Sequence, residues 1–146
     1  MTAANHTVTG AVIAAAIPNP LLALPAAVLS HFILDMLPHY GSKDQTSRNF
    51  LYVLAGDLAV TLSLLVSIAI LQPDSYLLLV AAGALAASPD IIWLPYWIAE
   101  MKGETRQRGR LAKLLGDIQR FEKPWAMPIE AVWFLTFTAF LLLLTV

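Results

Sequence analysis

The chain has 146 residues, of which 58% are hydrophobic and 13% are charged, and its formal net charge is −1. Soluble domains average about 45–50% apolar and about 25% charged residues, so this composition excludes an ordinary soluble domain and predicts a membrane protein. The absence of cysteine excludes disulfides and thiolate metal sites. Because no linker rich in Gly, Pro or Ser interrupts the sequence, residues 1–146 are expected to form a single integral membrane domain.

Apolar segments follow one another along the chain, and we predict that about five of them cross the membrane. These segments cover residues 3–17, 21–37, 48–71, 76–99 and 125–146. The first two are near the lower limit of ~17 residues for a span, and Pro18 and Pro20 separate them, so they are expected to form a helical hairpin. Ser47 is expected to cap the third helix. The predicted fold is an all-α, polytopic membrane helix bundle.

Positive charge is concentrated between the fourth and fifth segments. Seven of the nine Lys and Arg residues lie between Lys102 and Lys123, among leucines at helical spacing. Residues 103–122 are therefore predicted to form a basic amphipathic helix on the membrane surface, where it binds anionic lipid, although it could also hold a phosphate-bearing substrate. Because no nucleic-acid-reading fold surrounds these charges, membrane lipids and not nucleic acid are the expected partner.

The two basic stretches, 38–48 and 100–124, are separated by two spans and so lie on the same side of the membrane. The positive-inside rule places that side in the cytoplasm. We therefore expect a bacterial inner-membrane protein with a cytoplasmic N-terminus and a periplasmic C-terminus.

A histidine and an aspartate, His31 and Asp35, lie four residues apart inside an apolar run. Ionisable groups at membrane depth cost several kcal/mol, so they are functional candidates. The spacing places both side chains on one helix face, where they can share a metal ion. Imidazole with carboxylate suits zinc first, and also manganese or iron. The alternative is a hydrogen-bonded pair that only braces two helices.

Two further aspartates interrupt apolar runs. Asp57 and Asp90 each lie nine residues from the cytoplasmic end of their segment, hence ~13 Å deep by the helical rise. Asp57 is a candidate metal ligand or general base, or a partner for Arg48. Asp90 follows Pro89 at a predicted helix break, so it is a candidate ligand or a helix N-cap.

Three more residues complete the candidate site. His6 lies near the cytoplasmic start of the first segment and is expected to join the metal shell, although it could simply be an interfacial residue. His39 lies beyond Pro38 and is either a further ligand or an ordinary loop residue. Glu130, near the start of the last segment, is a candidate proton acceptor with Asp57, or a solvated side chain.

With these residues assembled, the chain resembles the bacterial inner-membrane proteins described as membrane-bound, metal-dependent hydrolases. The resemblance rests on short motifs, namely Asn5-His6-Thr7-Val8-Thr9-Gly10, His31 with Asp35, Pro38-His39 and Ser88-Pro89-Asp90. The chain is more distantly similar to zinc-dependent phospholipase C, in which His-x-x-x-Asp holds clustered zinc ions. It lacks the second element of those enzymes, a His followed by His-x-x-x-Glu, so the resemblance implies one or two metal ions instead of three.

The sequence thus predicts a metal-dependent hydrolase that acts on an amphiphilic phosphoester or ester, such as a phospholipid, at the cytoplasmic interface. A bound divalent ion would lower the pKa of its water ligand and supply hydroxide near neutral pH. Two alternatives remain open. One is a small transporter or ion-path protein, which a homo-oligomer could complete, and the other is a non-catalytic protein whose buried His and Asp groups lock helix packing.

Overall fold

The computed structural model describes residues 1–42, 44–119 and 121–145. All regular elements of these residues are helical, as predicted. They are α1 (Ala3–Ala16), α2 (Pro20–Asp35), α3 (Arg48–Leu71), α4 (Tyr76–Ala87), a 3-10 segment (Ser88–Trp93), α5 (Leu94–Met101), α6 (Arg110–Ile118) and α7 (Met127–Thr145). The predictions that involve Lys43, Arg120 and Val146, namely two of the basic charges and the end of the last span, fall outside the described residues.

Three helices of the described chain are long and apolar enough to cross a membrane, so the prediction of five spans is not supported. They are α3, the continuous helical stretch Tyr76–Met101 and α7. By contrast, α1 has 14 residues and α2 has 16. A rise of 1.5 Å per residue makes these two helices only about 21 and 24 Å long, against a hydrocarbon core of ~30 Å.

The short helix α1 lies at the centre of the bundle, in contact with α2, α3, α4 and α7. Every residue from Ala4 to Ala11 is buried. The closest approach is at Gly10, where an added Cβ would lie 2.4 Å from the carbonyl oxygen of Ala82 and 2.8 Å from the Cβ of Ala86. Small residues thus bring the backbones of α1 and α4 into direct contact, a packing mode common between membrane helices.

The outer surface of the bundle is apolar. Large side chains on three helices, such as Leu21 on α2, Ile70 on α3 and Leu143 on α7, are each more than 70% exposed. Soluble monomers rarely present contiguous apolar surface of this extent. Together with the three long apolar helices, this surface is consistent with a membrane protein.

The basic helix is shorter than the predicted range 103–122. The preceding helix α5 ends in a Schellman motif, in which Gly103 N–H donates to Glu100 O (2.9 Å) and Glu104 N–H donates to Ala99 O (2.8 Å). Gly103 has a φ of 72°, which an L side chain rarely adopts. Helix α6 begins only at Arg110, so residues 104–109 form an extended connection.

Candidate metal centre

Four of the predicted site residues meet at one end of the bundle. Helix α1 contributes His6 from its first turns, the last turns of α2 contribute His31 and Asp35, and the 3-10 segment contributes Asp90. The two Oδ atoms of Asp35 contact both imidazoles, with Oδ1 3.2 Å from His6 Nε2 and Oδ2 3.2 Å from His31 Nε2. His31 Nε2 also lies 3.6 Å from Asp90 Oδ1. The two imidazole rings stack, with centroids 4.0 Å apart.

The ring of His31 is oriented by the backbone of α4. Its Nδ1 lies 2.8 Å from the carbonyl oxygen of Ala86. Because a carbonyl can only accept, Nδ1 must carry a proton, and Nε2 faces Asp35 and Asp90. A backbone carbonyl bound to the second ring nitrogen is the usual support of a metal-ligating histidine.

The ring of His6 is fully buried, and neither of its nitrogens has a hydrogen-bond partner within the described chain. Its Nε2 lies 3.2 Å from Asp35 Oδ1, a contact that becomes an ion pair when the ring is protonated. Leaving a buried polar group unsatisfied costs about 1–3 kcal/mol. A metal ion bound at Nε2 would remove that cost for the inward-facing nitrogen.

The spacing of the ligand atoms fits a metal ion. One atom each from His6, His31 and Asp90 lie within 4.8 Å of one another. Ligands at 2.0–2.2 Å from a tetrahedral zinc ion are about 3.3 Å apart. The contacts of Asp35 and Asp90 with the imidazoles, at 3.2 and 3.6 Å, are close to that spacing. By this spacing His6, His31 and Asp90 could hold a metal ion, and Asp35 contacts both imidazoles beside them.

Two other groups contact Asp35. The side-chain amide of Gln119 donates to Oδ2 at 3.0 Å. The amino group of Met1 contacts Oδ1. Gln119 follows α6 directly and was not among the predicted site residues, because the sequence placed α6 on the membrane surface, without contact to the bundle interior.

Asp57 has a different position from the one expected of a ligand. Its Oδ2 accepts from the backbone N–H of Ala3 at 2.8 Å, and its Oδ1 accepts from that of Ala4 at 2.9 Å. The first N–H groups of a helix have no partner within the helix, so Asp57 on α3 caps α1 from outside. The structure does not group Asp57 with His31, and its roles as ligand and base stay predictions.

Glu130 also holds the start of α1. Its Oε2 accepts from the N–H and hydroxyl of Thr2, at 3.1 and 3.0 Å, and from the amide of Asn5. Its Oε1 accepts from the N–H of Tyr40 at 2.9 Å. Glu130 therefore joins three parts of the chain at the same end of the bundle. Its catalytic role likewise stays a prediction.

His39 lies in the loop after α2, outside the His6, His31 and Asp90 group. Its Nδ1 is 2.7 Å from the carbonyl oxygen of Leu37, and its Nε2 is 3.9 Å from Glu122 Oε1. Burial lowers the pKa of His39 and raises the pKa of Glu122. Both shifts disfavour the charged forms of the two side chains.

A small cavity of about 10 Å³ opens beside the cluster, room for about one water molecule. The residues that line this cavity come from α2, the 3-10 segment and the region of α6. They are His31, Phe32, Asp35, Pro89, Trp93, Leu115, Ile118 and Gln119. One face of α6 thus forms a wall of the cavity. A water molecule there would lie next to the candidate metal ligands.

The fold and the site together define an all-helical chain with apolar helices of membrane-spanning length and a buried cluster of His and Asp at one end. The comparisons found no matching family model, no matching curated protein and no matching solved structure. The resemblance to membrane-bound hydrolases therefore stays a prediction, and the functional argument depends on the geometry of the cluster.

Proposed function

We propose that the protein is a metal-dependent hydrolase of the bacterial inner membrane. In this proposal His6, His31, Asp35 and Asp90 hold one divalent ion, with zinc as the first choice and manganese or iron as alternatives. The observation that carries the proposal is the meeting of His6, His31 and Asp90, which come from three separate segments and each offer a ligand atom within 4.8 Å of the others.

Each residue has a distinct part in this proposal. Ala86 O orients the ring of His31, and Asp35 contacts both imidazoles at 3.2 Å, so the Nε2 atoms of both rings lie beside the same carboxylate. The bound ion would supply an acidic water ligand near neutral pH. The side chain of Asp90 is 35% exposed, the most accessible of the four. Its second oxygen is thus placed to accept a proton and pass it to solvent.

The location of the cluster supports an amphiphilic substrate. The cluster lies where α1 begins and α2 ends, and the basic connection between Met101 and Met127 is next to it through α6. With the N-terminus cytoplasmic, as we propose, this end faces the cytoplasmic headgroup layer, and the C-terminal end of α7 faces the periplasm. A phosphoester or ester in a lipid headgroup would lie at that depth, so membrane lipids are the proposed source of substrate.

The test is hydrolysis by the purified, zinc-loaded protein in neutral detergent. Chromogenic phosphodiester, phosphomonoester and carboxyl ester probes are compared for wild type, Asp90→Asn and the control Asp74→Asn. Asp74 is an exposed acid in the turn between α3 and α4, away from the cluster. We expect hydrolysis of at least one probe by wild type and the control, and a loss of at least about tenfold in Asp90→Asn. No hydrolysis of any probe, or equal rates in both variants, would refute a hydrolase that uses this cluster.

One observation favours a structural role for two of the predicted site residues, Asp57 and Glu130. Asp57 and Glu130 both accept hydrogen bonds from the start of α1, as expected if buried acids lock helix packing. This role and the metal site are compatible, because both Asp57 and Glu130 help to place α1, which carries His6. The structural role and the hydrolase proposal differ in one respect, since only the hydrolase proposal requires a bound metal.

A further inference from the structure

Arg108 contacts a residue that lines the cavity. The guanidinium carbon of Arg108 is 5.2 Å from the ring centroid of Trp93, a cation–π contact. The same Trp93 lines the cavity together with His31 and Asp35. Trp93 therefore connects the positive charge of Arg108 to the cavity beside the candidate metal ligands.

The position of Arg108 is also defined by α6. A Cβ on Gly116 would lie 3.4 Å from Arg108 Nη1 and 3.7 Å from the ring of Trp93. The guanidinium thus lies at the junction of Trp93 and α6, and the adjacent turn of α6 contributes Leu115 and Ile118 to the cavity wall. This contact distinguishes Arg108 from Arg110, an exposed residue in the first turn of α6.

Glu122 is an acidic neighbour of this junction. Burial raises the pKa of Glu122, and the positive charge of Arg108 opposes that rise. No ion pair between Arg108 and Glu122 is found in the described residues, so the guanidinium donors are not committed to that carboxylate. They remain accessible to an anion at the edge of the cavity.

We propose that Arg108, oriented by Trp93, binds the phosphate group of an anionic substrate of the metal centre. This inference rests on the proposed hydrolase function and deepens it, because it names a phosphate-bearing ligand and excludes a neutral ester as the preferred one. The planar guanidinium binds phosphate through paired hydrogen bonds, which an ammonium group does not provide. Since the cavity holds about one water molecule, the phosphate would lie at its outer edge, between Arg108 and the cluster.

The experiment measures binding of two probes to the zinc-loaded protein in neutral detergent, by phosphorus NMR titration. One probe is inorganic phosphate and the other is a lysophosphatidate with a 12-carbon chain, so that a free phosphate and a lipid headgroup are distinguished. The variants are Arg108→Gln and the control Arg110→Gln, which remove the same charge two residues apart. Arg108→Lys is the third variant, since it keeps the charge but loses the planar group.

We expect wild type to bind the lysophosphatidate, with or without binding of inorganic phosphate. Arg108→Gln should weaken its Kd by at least about tenfold, Arg110→Gln by less than about twofold, and Arg108→Lys by an intermediate factor. Equal weakening in the two glutamine variants would show a general surface attraction and overturn the proposal. Binding of neither probe by zinc-loaded wild type would also overturn it.

The metal content of the same samples distinguishes a failure of the Arg108 proposal from a failure of the proposed metal centre. A wild type that holds no zinc, manganese or iron after loading refutes the proposed metal centre itself. A wild type with zinc, whose phosphate binding does not depend on Arg108, refutes only the role of Arg108.

Discussion

Replacing Gly10 by alanine tests whether the close contact of α1 with α4 sets the geometry of the metal centre. The new Cβ would lie 2.4 Å from the carbonyl oxygen of Ala82, whereas ordinary contact begins at 3.4 Å, so the two helices must separate locally by about 1 Å. His6 lies one turn before Gly10 on α1, and His31 is bonded to Ala86 on α4. The separation should therefore move one imidazole relative to the other.

The expected magnitudes follow from this overlap. Overpacking of this kind costs about 1–3 kcal/mol. The matched control is Gly56→Ala on α3, since a Cβ there meets nothing within 4 Å in the described chain. Both variants gain the same helix propensity, so the difference between them isolates the packing cost. At about 2–4 °C per kcal/mol, the Tm of Gly10→Ala should lie ~2–12 °C below that of Gly56→Ala.

The assay is thermal unfolding in detergent, with and without zinc, together with a zinc-binding titration. A metal site tolerates errors of only about 0.2 Å in ligand distance, so Gly10→Ala should also bind zinc at least about tenfold more weakly. Equal Tm and equal zinc affinity in the two alanine variants would refute the reasoning that the α1–α4 contact positions the ligands.

Three further predictions concern residues around the cluster. Asp57→Asn should lower the free energy of unfolding by about 0.5–2 kcal/mol through loss of a charged helix cap, measured by denaturation in detergent, with zinc content unchanged. Gln119→Leu removes a hydrogen bond to Asp35, so zinc affinity should fall by about 10–100-fold in a competition titration. Because burial lowers the pKa of His39, the folded chain is protonated there at a lower pH than the unfolded chain. The contribution of neutral His39 to the free energy of unfolding is fully present above about pH 6.5 and is lost as the pH falls. Between pH 7 and pH 5, the Tm of His39→Gln should therefore decrease less than the Tm of wild type.

Local sequence signals predicted several elements correctly. Helix α3 begins at Arg48, and the hydroxyl of the predicted cap Ser47 accepts from the N–H of Phe50 at 3.3 Å. The i, i+4 spacing of His31 and Asp35 also placed both side chains on one helix face, where they meet. These features depend on residues close together in the sequence, so the chain alone determines them.

Contacts between distant helices were not predictable in the same way. The helical rise placed Asp57 at the depth of the cluster, but depth does not fix the direction in which a side chain points around its helix. In the structure Asp57 points to the start of α1. Similarly, a buried central helix and a membrane span are both apolar, so composition could not show that α1 is enclosed by its neighbours.

The most direct test of the central claim is elemental analysis of the detergent-purified protein. Wild type is compared with His31→Ala/Asp35→Ala and with His39→Gln, which removes a buried histidine outside the cluster. We predict near-stoichiometric zinc, manganese or iron in wild type and in His39→Gln, and its loss in the double variant. A metal-free wild type after loading with divalent ions, or full metal retention in the double variant, would contradict a metal centre at His6, His31, Asp35 and Asp90.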